Sequence, residues 1–213
     1  MPLAQSTKTV LDIQTAVKRQ FGDESGAQIT DADIMRWINQ GQTVICNRGE
    51  VNRTTMVTSS VAGQDTYSLA GTNIFKILAI QYKNVPMENV SFEQAQASLS
   101  TVDPTNYQSL PATYYEYDDS IILYPTPNAT GDSIKLFIIA APVVVTASGN
   151  VLSIPDTHFD ALLQYVLQQA YELDDDFASA SVKADQLERS MDVLASSASY
   201  KTFPTITVLP EDS

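Results

Sequence analysis

IPDTHFDALLQYVLQQAYEL, residues 154–173, is the stretch at which the chain returns to helix after the strands and loops of residues 54–152. Pro155, Asp156 and Thr157 are start signals, because proline fixes φ and the other two side chains can accept hydrogen bonds from first-turn amides. The apolar side chains recur at the three- and four-residue steps of a single helical face. Its members are Phe159, Leu162, Leu163, Val166, Ala170 and Leu173. This face requires a partner from a distant part of the sequence.

Two shorter helices near the start of the chain are the predicted partners of this face. Residues 9–20 place apolar side chains on one side, and a polar loop separates them from the next helix. That second helix begins at Thr30, an N-cap followed by acids where the helix dipole favours them, and it runs to about Arg48. The two stripes comprise Val10, Ile13, Ala16, Val17, Ile34, Trp37, Ile38, Gly41, Val44 and Ile45. We predict an antiparallel pair that packs on helix 154–173.

The region from residue 54 to residue 152 changes to the period-two alternation of strands. We predict a compact antiparallel β-domain, a sandwich or an open barrel, inserted between the helices. Asp118 and Asp119 fit a tight hairpin turn within it. The strands are predicted at 54–59, 66–69, 74–82, 113–117, 120–124 and 133–140, with a short helix at 91–99.

Local spacing also predicts how some of these strands are arranged. Strand 66–69 follows a turn at Gly63, so we expect it to pair back on strand 54–59. Strand 74–82 is long and apolar, so we expect both of its faces to be buried. Residues 125–132 fit a longer hairpin turn between the strands on either side.

A second long helix follows the acidic break at residues 174–176, and its small and apolar side chains allow close packing. They are Ala180, Ala184, Leu187, Met191, Leu194 and Ala198. The predicted fold class is therefore α+β: a four-helix domain, with two N-terminal and two C-terminal helices, an inserted antiparallel β-domain and an extended C-terminal tail. The predicted domains are 1–53 with 153–199 for the helices, 54–152 for the β-domain and 200–213 for the extension.

Composition and charge limit the classes of function. The 213 residues can bury a substantial core, and the 44% hydrophobic content is that of a folded chain. With 12 basic and 25 acidic residues the net charge is −13, which argues against a surface that grips DNA phosphates. A surface past which DNA slides is compatible with that charge. The apolar runs are too short to span a bilayer, and residues 1–8 lack the plan of a signal peptide, so we expect cytosolic synthesis and no membrane association.

Residue types that carry chemistry are scarce in this sequence. Cys46 is the single cysteine and lies in a helical pattern, which favours a buried filler over a reactive thiol. His158 is the single histidine, so one subunit cannot form a multi-histidine metal site, and we expect a satisfied or solvated surface side chain. The run Asp174–Asp176 lacks the spacing of a calcium loop and fits a solvated turn between helices. We predict no catalytic residue, no metal site and no cofactor.

Two alternatives remain open for the β-domain. The first is a cell-wall glycosidase, in which Glu116 and either Asp118 or Asp119 form the carboxylate pair. The second is a carbohydrate-binding module, although aromatic side chains at strand spacing more often pack across a sheet. Its candidate binding face consists of Tyr114, Tyr115, Tyr117 and Tyr124.

The last residues, 200–213, cannot continue the final helix. Residues 205–209 alternate like a strand and are enclosed by Pro204 and Pro210. Three interpretations are open: a frayed terminus, a last strand on the protein's own sheet, or a strand that adds to the sheet edge or groove of a partner. Phe203 would be a natural anchor in the third.

The order of these elements resembles the head-to-tail connector (adaptor) proteins of tailed bacteriophages, of the podovirus-like neck or tail-tube kind. The resemblance covers residues 8–198. It is carried by the helical hairpin, the inserted β-domain, the strand end IILYPTP at 121–127, and the return through IPD at 154–156 into FDALL at 159–163. The acidic break at 174–176 and the final long helix also fit.

This resemblance implies a structural virion protein that is made in the host cytoplasm and is located in the neck, between head and tail. Such proteins form a ring, commonly of twelve subunits, below the portal protein; they extend the DNA channel and present a platform for the tail or nozzle protein. DNA passes through the channel without specific binding. In relatives the C-terminal segment grips the portal, which implies portal-binding residues in the tail of this chain: Tyr200, Phe203, Ile206, Val208 and Leu209.

Overall fold

The computed structural model describes residues 6–99 and 108–199, which form an α+β fold, as predicted. They divide into a β unit, Glu50–Pro142, and a helical unit made of the residues up to Gly49 and from Val143. The helices of the described residues are α1 (Val10–Phe21), α2 (Asp31–Gly49), α3 (Phe92–Leu99), α4 (Phe159–Leu173) and α5 (Phe177–Ser199), with a 3₁₀ turn at Asp156–His158. The strands are β1 (Arg53–Ser59), β2 (Thr66–Ser68), β3 (Ile74–Tyr82), β4 (Val85–Pro86), β5 (Glu88–Asn89), β6 (Gln108–Ser109), β7 (Thr113–Tyr117), β8 (Ser120–Tyr124), β9 (Thr126–Pro127) and β10 (Ser133–Ala140).

The helical unit is built around α4. The apolar face of α4 packs against α1 and α2, which confirms the long-range partner predicted from the sequence, and α4 also packs against α5. Burying one large apolar side chain contributes about 1.5–3 kcal/mol, so this shared core is a principal source of the unit's stability. Its fully buried members include Val10, Ile13, Val17, Ile34, Ile38, Ile45, Leu162, Val166, Leu167 and Ala170.

Side-chain caps fix where α1 and α2 begin. Thr9 and Asp12 form a capping box, in which the Thr9 amide donates to the Asp12 carboxylate at 2.8 Å. Gly22 ends α1 with a φ of 89°, a left-handed conformation that glycine adopts without strain. The Thr30 hydroxyl accepts the Asp33 amide at 3.2 Å and starts α2, as predicted.

The start of α4 differs from the prediction. The Asp156 carboxylate binds the N-terminal segment of the chain, and the His158 cap makes no side-chain hydrogen bond to the first turn of α4. The 3₁₀ turn at Asp156–His158 leads the chain into the helix instead. At the other end, Leu173 is 55% exposed, so the buried face of α4 ends at Ala170. Sequence period alone does not reveal which turn of a helix emerges from the core.

The β unit contains two four-stranded sheets and a two-stranded pair among the described residues. The first sheet has the antiparallel order β1-β10-β3-β4, the second has the order β2-β8-β7-β5 with β5 parallel to β7, and β6 pairs with β9 in parallel. Side chains from both larger sheets meet in one buried cluster. Its members include Tyr67, Ile77, Ile80, Tyr82, Tyr114, Ile121, Leu123, Ile134, Leu136 and Ile138.

The strands lie where the sequence predicts them, but two expected pairings are wrong. Strand β1 pairs with β10 and not with β2, which pairs with β8 in the other sheet. Residues 125–132 therefore lead from one sheet to the other and do not close a hairpin. Alternation indicates which face of a strand is buried, whereas the choice of neighbour depends on contacts far apart in the sequence.

The expectation that β3 is buried on both faces is also wrong. Ile77, Ile80 and Tyr82 are buried, but Phe75 is 40% exposed. A bulge interrupts the register, because Ile77 lies opposite Ile138 whereas Ala79 lies opposite Phe137. The extra residue changes which side chains face the core. The turn predicted at Asp118-Asp119 is confirmed, since both residues have a positive φ (46° and 52°).

The segment that follows the β unit belongs to the helical unit. The Asn39 side chain of α2 holds Val145 from both sides, donating to its carbonyl at 3.0 Å and accepting its amide at 2.8 Å. The Leu152 amide donates to the Lys8 carbonyl at 2.9 Å, and Thr9 forms a bridge with Val151. Residues 143–152 are thereby fixed beside the start of α1.

Candidate functional site

A cleft of about 350 Å³ lies in the β unit between the β7–β8 hairpin and the loop that joins β2 to β3. The loop contributes residues 69–72, the first half of β3 contributes 74–77, and the hairpin contributes 116–120. The three carboxylates of the glycosidase hypothesis all belong to that hairpin. The structure therefore brings them to the wall of one cleft.

The wall of this cleft is acidic. Desolvation raises the pKa of the Glu116 carboxyl group, and a hydrogen bond with Asn89 opposes that shift. Lys76 also lines the cleft, but its ammonium group bonds to the Glu50 carboxylate at 2.6 Å and thereby lowers the pKa of Glu50. Asp118 and Asp119 both have a positive φ, which a tight hairpin turn requires at its two central residues. The acidic wall can attract cationic groups. The hairpin turn is by itself sufficient to explain why aspartates occupy positions 118 and 119.

Three of the four tyrosines considered for a sugar-binding face pack within the β unit. Tyr114 and Tyr115 are buried, at 2% and 8% exposure. Tyr117 is exposed and stacks on Phe92 of α3, with ring centroids 5.2 Å apart and an interplanar angle of 21°. Phe92 also meets Tyr115 edge-on at 6.0 Å. The rings pack α3 onto the sheet, which is the structural use of aromatic side chains on strands.

Asp156 fastens the first described residues of the chain to the helical unit. Its carboxylate accepts the Ser6 hydroxyl at 2.7 Å, the Thr7 hydroxyl at 2.6 Å, and the Thr7 and Lys8 amides at 3.0 and 3.3 Å. The hydrogen bonds from the Thr7 and Ser6 side chains lower the pKa of Asp156 to about 2. The sequence suggested a helix cap at this position, because an acid after proline is a local signal for a helix start. The distant partners of Asp156 leave no such signal in the local sequence.

Replacing Asp156 by asparagine should release residues 6–8 while α4 persists. The carboxylate's pKa is lowered in the folded state, so its stabilising effect is present above its ordinary pKa of 3.8 and is lost as the pH falls through about 2. We expect faster hydrogen exchange at the Thr7 and Lys8 amides of Asp156→Asn at neutral pH, with no further loosening in acid.

The matched control for this prediction is Asp160→Asn, which removes a carboxylate from the first turn of α4. Exchange at Thr7 and Lys8 should match the wild type in that variant. Equal exchange in Asp156→Asn and the wild type would contradict the assigned role of Asp156.

His158 is buried, at 8% exposure, so the expected surface position is wrong, whereas the expectation of a satisfied side chain agrees with its hydrogen bond. Its Nδ1 atom lies 3.0 Å from the Thr157 hydroxyl, which satisfies that side of the ring. Burial lowers the pKa of His158, since the apolar surroundings disfavour the charged imidazolium. The side chain thus has a structural place at the entry to α4.

Acidification should weaken the helical unit through His158. The unfolded chain binds a proton near the ordinary pKa of 6.5, whereas the folded chain binds it only at lower pH, so stability falls as the pH drops below about 6.5. We expect denaturant unfolding of the wild type to shift to lower denaturant between pH 7.5 and pH 5.5. His158→Gln, which does not titrate, should show a smaller shift. An equal shift in both proteins would contradict this assignment.

The acidic break between α4 and α5 serves as a turn and a cap. Asp175 has a φ of 57°, and the Asp176 carboxylate accepts the Ser179 amide at 3.1 Å at the start of α5. Within residues 6–99 and 108–199, no group of three or more His, Cys, Asp or Glu side chains is placed to hold a metal ion. Cys46 is buried, as predicted, and burial raises the pKa of its thiol to about 12.

Asp23 is a buried carboxylate that the sequence analysis did not single out. It accepts the Gln28 amide at 2.7 Å, the Ile29 amide at 2.9 Å and the Ala27 amide at 3.0 Å, and so organises the loop between α1 and α2. These bonds lower the pKa of Asp23, and the bond from the Ile29 amide makes the largest contribution to that shift. A glycine-bounded loop that opens with an aspartate is the available sequence signal for such a turn.

Helix α5 carries the chain toward its C-terminus. Arg48 of α2 forms a bidentate ion pair with Glu188 of α5, in which Nη1 and Nη2 donate to the two carboxylate oxygens at 2.7 and 2.6 Å. The described part of α5 ends at Ser199. The five predicted portal-binding residues, Tyr200, Phe203, Ile206, Val208 and Leu209, lie outside the described residues.

The order of elements, from a helical pair through an inserted β unit to a second helical pair, is the order on which the resemblance to structural adaptors rests. The family described as SU10 adaptor protein matches residues 8–207. The chain belongs to this family, and the resemblance to a phage head-to-tail adaptor is confirmed. No curated protein matches the chain.

Membership of the family fixes the protein's general role. It is a structural adaptor of a bacteriophage virion that interacts with portal and tail components in the neck. None of the helices in the described part of the chain combines the length and apolar character that crossing a bilayer requires.

Proposed function

We propose that the protein forms a ring below the portal, extends the DNA channel and provides the platform on which the tail or nozzle protein docks. The single observation that carries this proposal is the match of residues 8–207 to the adaptor family, which spans nearly the whole chain. An adaptor between a portal and a tail must leave an axial path for DNA. A closed ring is the simplest arrangement that does so.

The charge of the chain supports a channel through which DNA slides. The net charge of −13 per subunit gives a surface that repels DNA phosphates. A basic wall would instead bind the phosphates and retard the ejection of DNA. The expected salt dependence of DNA binding is therefore weak. A dodecameric ring would multiply this repulsion around the axis.

The presence of two compact units supports separate roles for the helical and β parts of each subunit. In this proposal the residues up to 49 and from 143 to 199 form the helical domain, 50–142 form a sandwich-like β-domain, and 200–213 form the extension that binds the portal. The shared buried cluster of the two larger sheets favours a sandwich-like β-domain. The proposed anchors are the apolar residues of the extension, with Phe203 as the first.

Negative-stain electron microscopy of the full-length protein, with and without assembled cognate portal, tests this proposal. We expect portal particles to gain an axial ring of density of uniform rotational order only when the protein is added. A mutant portal that lacks its tail-facing end serves as the control. Portal particles that remain unchanged at saturating protein would contradict the proposed ring.

A further inference from the structure

Strand β1 is a long and open edge of the first sheet. It has seven residues, whereas the other outer strands of the two larger sheets, β4, β2 and β5, have two, three and two. In the part of the chain that the structure describes, β10 is the only strand that pairs with β1. Residues 54–59 contain neither proline nor a charged side chain, and their register with β10 has no bulge. Strand β1 therefore lacks the features that usually protect an edge strand from further pairing.

The hydrogen bonds at the two ends of β1 show which backbone groups face the open edge. The Ala140 amide donates to the Asn52 carbonyl at 3.1 Å, and the Ser60 amide donates to the Asp132 carbonyl at 2.8 Å. Because the register between these two bonds is unbroken, the even-numbered residues of β1 bond to β10. The odd-numbered residues direct their N–H and C=O groups toward the open edge, where one more extended strand can pair with them. They are Arg53, Thr55, Val57 and Ser59.

The face of the first sheet that points away from the buried cluster carries positive charge. The cluster contains the even-numbered residues of β10 from 134 to 138, so Lys135 and Ile139 point to the outer face. Arg53 of β1 and Lys76 of β3 both lie opposite Ile139 in the register and point the same way. Val57 lies opposite Lys135. Three cations therefore share a face with the outward side chains of β1.

These three cations are only partly neutralised. The Glu50 carboxylate is shared between Lys76 at 2.6 Å and Arg53 at 3.1 Å. The Lys135 ammonium group donates to the neutral side chain of Asn84 at 2.7 Å. Three cations and one carboxylate leave a surplus of positive charge on a protein whose net charge is −13. The outer face attracts acidic groups, and the side chain of Arg53 is 49% exposed beside the open edge.

The other face of β1 belongs to the core of the β unit. Met56, opposite Leu136 in the register, is half-buried and packs against the buried cluster. Because β1 is the last strand of its sheet, this core ends at Met56. An apolar side chain on an added strand would lie beside Met56 and extend the core. The edge therefore favours a strand that is apolar on one face and acidic on the other.

We propose that β1 binds an extended segment of a partner protein whose side chains alternate between acidic and apolar residues. The backbone of the segment pairs with the odd-numbered residues of β1. Its acidic side chains lie on the face of Arg53 and Lys135, and its apolar side chains lie beside Met56. Charge complementarity favours this partner over a second copy, because residues 54–59 of another β1 are uncharged and bring no acid to that face. The proposal goes beyond the proposed ring and does not depend on it.

Peptide binding combined with amide hydrogen exchange tests the proposal on the full-length protein. The probe is a peptide of alternating valine and glutamate, as long as β1, blocked at both ends and labelled with fluorescein for anisotropy. In the free protein we expect the odd-numbered amides of β1 to exchange faster than the even-numbered ones, which bond to β10. The peptide should raise the anisotropy and slow exchange at the odd-numbered amides at least tenfold. Exchange at the even-numbered amides should stay unchanged.

Two variants separate backbone pairing from charge. Thr55→Pro removes an amide that points to the open edge and not one that bonds to β10, so β1 can remain in the sheet. We expect this variant to bind the peptide at least tenfold more weakly, with unchanged exchange at the even-numbered amides as the check that β1 stays in place. Lys135→Gln should weaken binding several-fold, with a smaller effect at high salt. Lys183→Gln, which removes a cation from α5, is the matched control and should bind like the wild type.

Control peptides test both parts of the recognition. A peptide of alternating valine and lysine should not bind, because it brings cations to a basic face. The valine–glutamate peptide with every backbone amide methylated should bind at least tenfold more weakly, because it cannot donate hydrogen bonds to the edge. Equal binding of the methylated peptide would show that charge alone attracts the probe and would overturn the proposal. An unchanged anisotropy with the unmodified peptide at saturating protein would overturn it as well.

Two further outcomes would assign the edge to a different occupant. Slow exchange at the odd-numbered amides of the free protein, together with a dimer in sedimentation, would show that a second copy covers β1 and would overturn the proposal. A short DNA duplex that displaces the peptide would identify a phosphate-binding face and would also overturn it. The ring below the portal is decided separately, by microscopy, and does not depend on either result.

Discussion

Deletion of residues 200–213 is expected to abolish binding to the portal and to leave the folded body intact. The described core of the helical unit lies between Val10 and Met191, so the truncated protein retains the side chains that stabilise it. The extension supplies the alternating segment 205–209, and we propose that this segment adds to a sheet edge or groove of the portal. Co-sedimentation with portal particles should fall to background, whereas far-UV circular dichroism and the melting temperature should match the full-length protein.

Substitutions within the extension separate a specific strand from a merely required length of chain. Ile206→Asp combined with Val208→Asp places two charges on one face of the alternating segment and should weaken docking at least a hundredfold, a loss of about 2.7 kcal/mol. Thr205→Asp combined with Thr207→Asp adds the same charge to the other face and is the matched control. Undiminished docking of the truncated protein would refute the role of the extension in portal binding.

The positions of helices and strands could be predicted closely because local sequence signals mark where these elements begin and end. Strands 113–117, 120–124 and 133–140 have the predicted ends, since Asp118-Asp119 forms the expected turn and Pro142 follows the last strand. The neighbours of β1 and β2 could not be predicted. Their partners, β10 and β8, are selected by a core that both larger sheets share, and no short segment encodes that choice.

The sites were less predictable than the elements that carry them. Asp156 and His158 occupy a stretch whose spacing predicts a capped, partly solvated helix start. The role of Asp156 depends on Ser6 and Thr7, which lie 150 and 149 residues away from it. Val145 is likewise held by Asn39 of α2, which lies 106 residues away from it. In both cases the long-range hydrogen bonds give a polar side chain a structural role that its local sequence does not indicate.

Gly41→Val is expected to be the most damaging single change in the helical unit. A Cβ atom at position 41 of α2 would lie 2.6 Å from Cδ1 of Leu162 and 2.7 Å from Cδ1 of Tyr165, closer than carbon atoms approach in proteins. Leu162 is fully buried, so its side chain can shift only by displacing its close-packed neighbours. Overpacking of this kind costs about 1–3 kcal/mol, and more when the added group is branched. For Gly41→Val we expect a loss of at least about 3 kcal/mol.

Gly41→Ala tests the same close contact, but the substitution also gains helix propensity, which opposes the loss of stability. Alanine favours helix over glycine by about 1 kcal/mol. When this gain is subtracted from an overpacking cost of about 1–3 kcal/mol, the net loss should be no more than about 2 kcal/mol. Gly149→Ala is the matched control, since nothing lies within 4 Å of its added Cβ, and its stability should not fall. Denaturant unfolding followed by far-UV circular dichroism gives all three values. A Gly41→Ala protein that is more stable than the wild type by the full gain of about 1 kcal/mol would mean that α2 and α4 can move apart, and that the close approach is not what fixes the helical core. The predicted order of stability, with Gly149→Ala above Gly41→Ala and Gly41→Val lowest, follows only if the two helices cannot separate.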